Sequence, residues 1–166
     1  SNKIFKIKKG IPRFCPEENY SETFGFQWNL FDKVQLDSFS NEDLSHNRFW
    51  AETDWDPKEL DALNVLEVGS GAGRFTEVFL KSTKANLYSI DYSSAVEANL
   101  NNNYKYCSRL FLSQASIYEM PFDDCSFERI FCLGVLQHTP NFENSVKSLI
   151  RKLKINGEVV VDFYPS

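Results

Sequence analysis

The sequence predicts a doubly wound α/β domain built on a mostly parallel sheet. Three observations predict it. Short apolar runs of strand length recur from residue 63 onward, and segments of helical periodicity separate them. The first of these strands runs directly into a glycine-rich turn that opens a helix. Parallel strands need crossover connections, so the intervening helices are right-handed crossovers packed on the sheet.

Asn64-Val65-Leu66-Glu67-Val68 is the first strand, mostly apolar as a strand buried on both faces must be. Arg74 to Lys81 follows as a helix, with Phe75, Val78 and Phe79 on one face. Asn86 to Ile90 is the second strand, ending at Asp91, and Ser93 or Ser94 caps a helix running to about Asn101. Leu110 to Ala115 and Phe127 to Leu133 are the third and fourth strands. Asn144 to Leu153 is a helix with Val146, Leu149, Ile150 and Leu153 inward. Asn156-Gly157 stops it, and Glu158 to Phe163 is the fifth strand.

Residues 1–60 read differently. They are rich in aromatics, among them Phe14, Phe26, Phe31, Phe39, Phe49, Trp50 and Trp55, and show no strand-like alternation. The expectation is an N-terminal segment of loops and short helices packed on a main domain at 61–166. Ser45-His46-Asn47 would cap a helix from Arg48, and Asp56-Pro57 would start another over 57–62.

Composition narrows the function. A chain of 166 residues, 42% hydrophobic and 25% charged, can bury one real core. The apolar stretch Ile130 to Leu136 is too short to span a bilayer, and the first residues hold no signal-peptide core. Cys15, Cys107, Cys125 and Cys132 form no C-x-x-C pair, which disfavours a zinc ribbon or disulfide framework and fits reduced thiols in the cytoplasm. No metal site is expected. Net charge is −5, yet residues 1–14 carry five basic residues and no acid, leaving 13 basic against 23 acidic residues beyond them. An acidic body argues against nucleic acid as partner. The basic start reads as a solvated tail, or as a contact for an anionic substrate or membrane surface.

The glycine-rich turn Gly69-Ser70-Gly71-Ala72-Gly73-Arg74 carries the chemistry. Glycines let the backbone take positive φ and approach a ligand closely, and the amides of such a turn favour anionic groups. A dinucleotide fingerprint G-x-G-x-x-G would need a small residue where Arg74 stands, so that pattern fails and G-x-G-x-G remains. Glu67 places a carboxylate two residues before the turn, suited to an ammonium group. Asp91, 18 residues after Gly73, stands where a carboxylate accepts ribose hydroxyls; the structural alternative is a cap for residues 92–95.

VLEVGSGAGRF, YSIDYS, QASIYEMPFDDCSFERIFCLGVLQHTPN and GEVVVDFYP resemble the successive motifs of class I S-adenosylmethionine-dependent methyltransferases, in order over about residues 60–165. The resemblance implies a Rossmann-like fold and S-adenosyl-L-methionine as cofactor, with S-adenosyl-L-homocysteine as product. It implies that Glu67, Gly69, Ser70, Gly71, Gly73 and Arg74 surround the methionine part. Asp91 matches the ribose-binding acid, with Tyr92 beside adenine. Ser116 and Ile117 match the adenine-contacting pair, and Leu133 and Gly134 the wall after the fourth strand. Two departures stand out. The adenine position often holds Asp, and here it is Ser116. The family sheet has seven strands ending in an antiparallel hairpin, whereas this chain stops just past the fifth. The expectation is therefore a sheet truncated after strand five, or one whose edge is covered by a partner or a second copy. The segment GIPRFCPEENYSETFGFQWNLF is similar to the front of bacterial methyltransferases of surface-polysaccharide pathways, which implies a small-molecule or sugar-like acceptor.

Methyl transfer from a sulfonium is an in-line displacement with a neutral leaving group, so catalysis is mainly positioning, with a base only where the nucleophile must lose a proton. His138 is the candidate base. Tyr20, Phe24, Gln27 and Trp28 are candidate lid residues, since aromatic faces attract a cationic sulfonium. Two rival readings are a non-catalytic or incomplete binding module of the same fold, and a nicotinamide-dependent oxidoreductase.

Overall fold

The structure is a computed structural model. It describes residues 4–16, 25–27, 30 and 33–163. Five parallel strands form the predicted framework: β3 (Asn64–Val68), β4 (Asn86–Asp91), β5 (Leu110–Gln114), β6 (Phe127–Cys132) and β7 (Leu153–Val161). Two more, β1 (Lys6–Lys8) and β2 (Ile11–Arg13), come from the front segment. The sheet order is β1-β2-β5-β4-β3-β6-β7; β1 and β2 pair antiparallel, and every other pair is parallel.

The hairpin corrects the expectation that residues 1–60 hold only loops and helices. Lys9 and Gly10 both have positive φ (52° and 78°), as a two-residue turn matching strand twist requires. Pro12 and an exposed Lys-Ile-Lys strand hide this in the sequence, because alternation is read from burial and β1 buries nothing. Seven strands are thus reached through a hairpin at the β5 edge. β7 forms the opposite edge, with Ile155 88% exposed.

The helices lie as the periodicity predicts. α3 (Arg74–Ser82) and α4 (Val96–Asn103) cover one face, and α5 (Phe142–Lys152) the other. β3 alternates accordingly. Val65 joins the core of Phe49, Phe79, Leu87 and Phe131, while Leu66 and Val68 join that of Ile90, Ile130 and Leu149. Boundaries shift for local reasons. α2 (Leu44–Thr53) starts before the predicted Ser45–Asn47 cap, because the carboxylate of Asp37, on α1 (Asp37–Ser40), accepts from the Ser45 and His46 amides at 2.9 and 2.7 Å. Asn156, at φ 63°, lies inside β7, where the register passes from Phe127–Leu153 to Arg129–Glu158. The predicted stop there is an irregularity within a strand.

Candidate functional site

The C-terminal ends of β3, β4, β5 and β6 open on one cavity of about 330 Å³. Parallel strands with crossovers on both faces leave a crevice there. The β3–α3 turn contributes Gly69, Ser70, Gly71 and Arg74; the chain after β4 contributes Asp91 and Tyr92. Ser116 and Ile117 follow β5; Leu133, Gly134 and His138 follow β6. Gln27 is exposed and off this wall, and Tyr20, Phe24 and Trp28 lie outside the described residues.

The turn is held by its own chain. Gly69 and Ser70 N–H donate to the Ile90 carbonyl at 2.8 and 3.2 Å, Gly73 N–H to the Ser70 carbonyl at 2.9 Å, and Gly71 N–H to Asp91 Oδ2 at 2.8 Å. Those four amides are spent inside the protein, which corrects the expectation that they face an anion. The turn offers instead a ledge free of side chains. Gly69, Gly71 and Gly73 have φ 81°, 51° and 90°. A Cβ on Gly69 would lie 2.2 Å from Val135 Cγ2, and one on Gly73 2.3 Å from Asn99 Oδ1. Gly73 itself is off the cavity wall, so its lack of a side chain answers to the packing of α3 on α4.

Asp91 both faces the cavity and caps. Oδ1 accepts from the Ser93 amide (2.8 Å) and hydroxyl (2.6 Å), while among the described residues Oδ2 accepts from the Gly71 amide alone. A carboxylate has about four lone-pair sites, so the site left for a ligand hydroxyl lies on Oδ2, and a second opens if the Ser93 hydroxyl turns away. Ser70 Oγ is buried with no partner among the described residues and lies on the cavity wall, as does Gln137, whose Oε1 is likewise unpartnered. Such orphans mark places where a ligand completes the hydrogen bonding.

Glu67 is not on the cavity wall, a correction to its expected place beside the ligand. It lies beneath the turn, 2% exposed, and accepts from the Thr76 and Ser89 hydroxyls. Burial pushes its carboxyl up to about 7, against the pull of those two hydroxyls and with a further push from Asp91. Alternation explains the placement: Glu67 shares the face of Val65, which points under α3.

His138 is exposed at the rim, its amide donating to the Val135 carbonyl at 2.9 Å. Ser116 Oγ accepts from the Tyr118 amide at 3.2 Å. Burial, with Cys15 and Glu119 nearby, raises the Tyr92 phenol above its ordinary range.

The remaining wall was not legible in the sequence. Gln35, Leu36 and Arg48 reach the cavity from the front segment. Arg48 pairs with Asp162 at 2.5 Å and Glu52 at 2.7 Å, and Asp162 also accepts from the Gly134 amide. Arg74 Nε donates to Ser45 Oγ at 2.8 Å, tying the turn to α2.

An acid, an unpartnered hydroxyl and an apolar slot of Ala115, Ile117 and Leu133 together fit a nucleoside that carries polar substituents. Among the described residues no cluster of His, Cys, Asp or Glu could hold a metal ion. A family model described as a methyltransferase domain matches residues 66–161, the span that contains every strand end at the cavity. The chain belongs to the methyltransferase domain family. The cofactor of this family is S-adenosyl-L-methionine, and the fold is that of its class I members. The methyltransferase domain is 31% identical over 106 residues to a tRNA U34 carboxymethyltransferase of Nautilia profundicola, a match covering 62% of this chain and 35% of that protein. It is 26% identical over 100 residues to a sterol 24-C-methyltransferase of Aspergillus fumigatus, covering 58% and 26%. The chain thus spans about a third or less of these curated relatives. A crystal structure of a Methanococcus maripaludis protein, described as an S-adenosyl-L-methionine-dependent methyltransferase, superposes with TM-score 0.69 at 17% identity, covering 89% of this chain and 67% of that one. No helix among the described residues is long and apolar enough to cross a membrane.

Proposed function

We propose that the chain binds S-adenosyl-L-methionine in this cavity and transfers its methyl group to a small-molecule or sugar-like acceptor entering past His138. The observation that carries the reading is the joint made by Asp91. One carboxylate fixes the glycine turn and still turns a lone pair of Oδ2 toward a cavity whose wall holds the unpartnered Ser70 hydroxyl.

When bound, the cofactor supplies a methyl group on a cationic sulfonium. Asp91 would hold the ribose hydroxyls, and Ser70 the polar end of the amino-acid part. Ile117 and Leu133 would sandwich the base, and their burial keeps water from that end. His138 would take a proton on an imidazole nitrogen where the acceptor must lose one, and its exposed rim position suits contact with an incoming molecule. A cavity of about 330 Å³ suits one compact ligand such as the cofactor, so the acceptor would meet the methyl group at its rim. The net charge of −5 supports a small acceptor over a nucleic acid.

Calorimetric titration with S-adenosylhomocysteine and, separately, with NAD tests the reading. Saturable binding of the first and none of the second is expected. Asp91→Ala should weaken binding by about 2 kcal/mol, the scale of hydrogen bonds to a charged group. Equal binding of both, or of neither, would overturn it.

A further inference from the structure

α4 ends in the run Asn99-Leu100-Asn101-Asn102-Asn103, an unfavourable composition for a helix interior. Three of these asparagines have a purpose there. Asn102 Nδ2 donates to the Ala72 carbonyl at 2.9 Å, and Asn103 Nδ2 to the Gly73 carbonyl at 3.1 Å. Asn103 also donates to Asn99 Oδ1 at 2.9 Å, and Asn99 Nδ2 to Thr76 Oγ1 at 2.9 Å. The Thr76 hydroxyl in turn donates to Glu67. One continuous chain of donors therefore runs from the end of α4 through the first turn of α3 to the buried acid, and branches onto the glycine turn. Asn99, Asn103 and Thr76 are fully buried.

We infer that Asn102 and Asn103 are positioning residues for cofactor binding, clamping the carbonyls of Ala72 and Gly73 so that the glycine ledge keeps one shape. The inference deepens the proposed cofactor reading and rests on it. A turn with positive φ at Gly69, Gly71 and Gly73 has wide conformational freedom; among the described residues its other bonds reach β4, the turn itself and, from the Gly73 carbonyl, the Glu77 amide of α3 at 3.0 Å, while the Ala72 carbonyl is held by Asn102. The asparagines supply the constraint from the α4 side. Gly73 has no room for a Cβ because Asn99 Oδ1 and Asn103 Nδ2 stand 2.3 and 2.4 Å from where it would lie, so the clamp and the glycine fit only together. Preorganisation of this kind raises affinity by lowering the ordering cost of binding.

The test uses Asn102, which donates to the Ala72 carbonyl and is half-buried, unlike the fully buried Asn99 and Asn103, so its variants disturb the core least. Asn102→Ala is expected to weaken S-adenosylhomocysteine binding about tenfold, with the urea midpoint nearly unchanged. Asn102→Gln, which restores a donor, should recover most of that loss. Hydrogen exchange supplies a readout free of ligand: in Asn102→Ala the Gly71 and Gly73 amides should exchange about tenfold faster, while β6 and α5 amides keep their rates. Unchanged exchange at the turn, or equal weakening in both variants, would overturn the clamp. Failure of the unsubstituted protein to bind S-adenosylhomocysteine would overturn the cofactor reading instead, and the exchange rates would still decide the clamp.

Discussion

The two walls of the cavity are made differently. The wall after β3 and β4 is held by bonds between residues close along the sheet: Asp91 on Gly71, Ile90 on Gly69 and Ser70, Thr76 and Ser89 on Glu67. The opposite wall is held across the length of the chain. Arg48 meets Asp162, 114 residues away, and Phe49 packs against Phe131 with ring centroids 5.0 Å apart. The first wall is built mainly by two neighbouring units of the sheet, β3–α3 and β4–α4. The second exists only when the front segment has docked on the finished sheet. One side of a site can therefore be read from a motif, while the other depends on long-range packing.

Phe49→Ala is the strongest way to break this contrast. Its ring is fully buried among Phe75, Phe79, Phe131, Trp50 and Trp55. Truncation should cost about 4 kcal/mol. If the two walls are separable, urea unfolding followed by tryptophan fluorescence will show the front segment melting first, while the glycine-turn amides stay protected from exchange. A single coincident transition would mean that the walls fold as one unit.

A smaller and more selective effect sits under the motif wall. Glu67 has its carboxyl raised from 4.5 to about 7 by burial. The native state then holds a proton that the unfolded chain has released, so stability contributed by this group is full below about 4.5 and is lost as pH rises through about 7. The loss is on the order of 3 kcal/mol. Glu67→Gln removes the titration. The difference in unfolding free energy between Glu67→Gln and the unsubstituted protein should move in the variant's favour by about that amount between pH 4.5 and 8, measured by urea melts. A difference independent of pH would show that Glu67 stays charged.

The same contrast explains what could be read in advance. β3 to β7 and their helices followed from apolar spacing, because each buries a face set by a local period. Asp91, Ser70, Ile117 and Leu133, which the resemblance of the motifs singles out, all line the cavity. Glu67 was misplaced because a motif gives a residue's position along the chain and not the side of the strand on which it points. Arg48, Gln35 and Leu36 gave no sign, since their place depends on contacts with residues as distant as Asp162. The β1–β2 hairpin was hidden by Pro12 and by a strand that buries nothing.

Arg48 offers the finest test of the long-range wall. Its pair with Asp162 is only partly shielded, with side chains 28% and 17% exposed, and it competes with the Glu52 pair for the same guanidinium. Partly exposed pairs contribute about 1 kcal/mol or less, and salt screens them. Arg48→Met keeps the aliphatic stem against Phe75, whose ring lies 5.6 Å from the guanidinium carbon, and removes the charge. A double-mutant cycle of Arg48→Met with Asp162→Asn should give a coupling of about 1 kcal/mol in low salt that falls to roughly half in about 1 M salt. Asp162 also accepts from the Gly134 amide on the cavity wall, so Asp162→Asn alone should disturb the β6 end of the cavity as well as the pair. A coupling near zero at low salt would mean that aromatic packing around Phe49 alone holds the front wall, and that Arg48 is kept at the cavity for what it does to the acceptor.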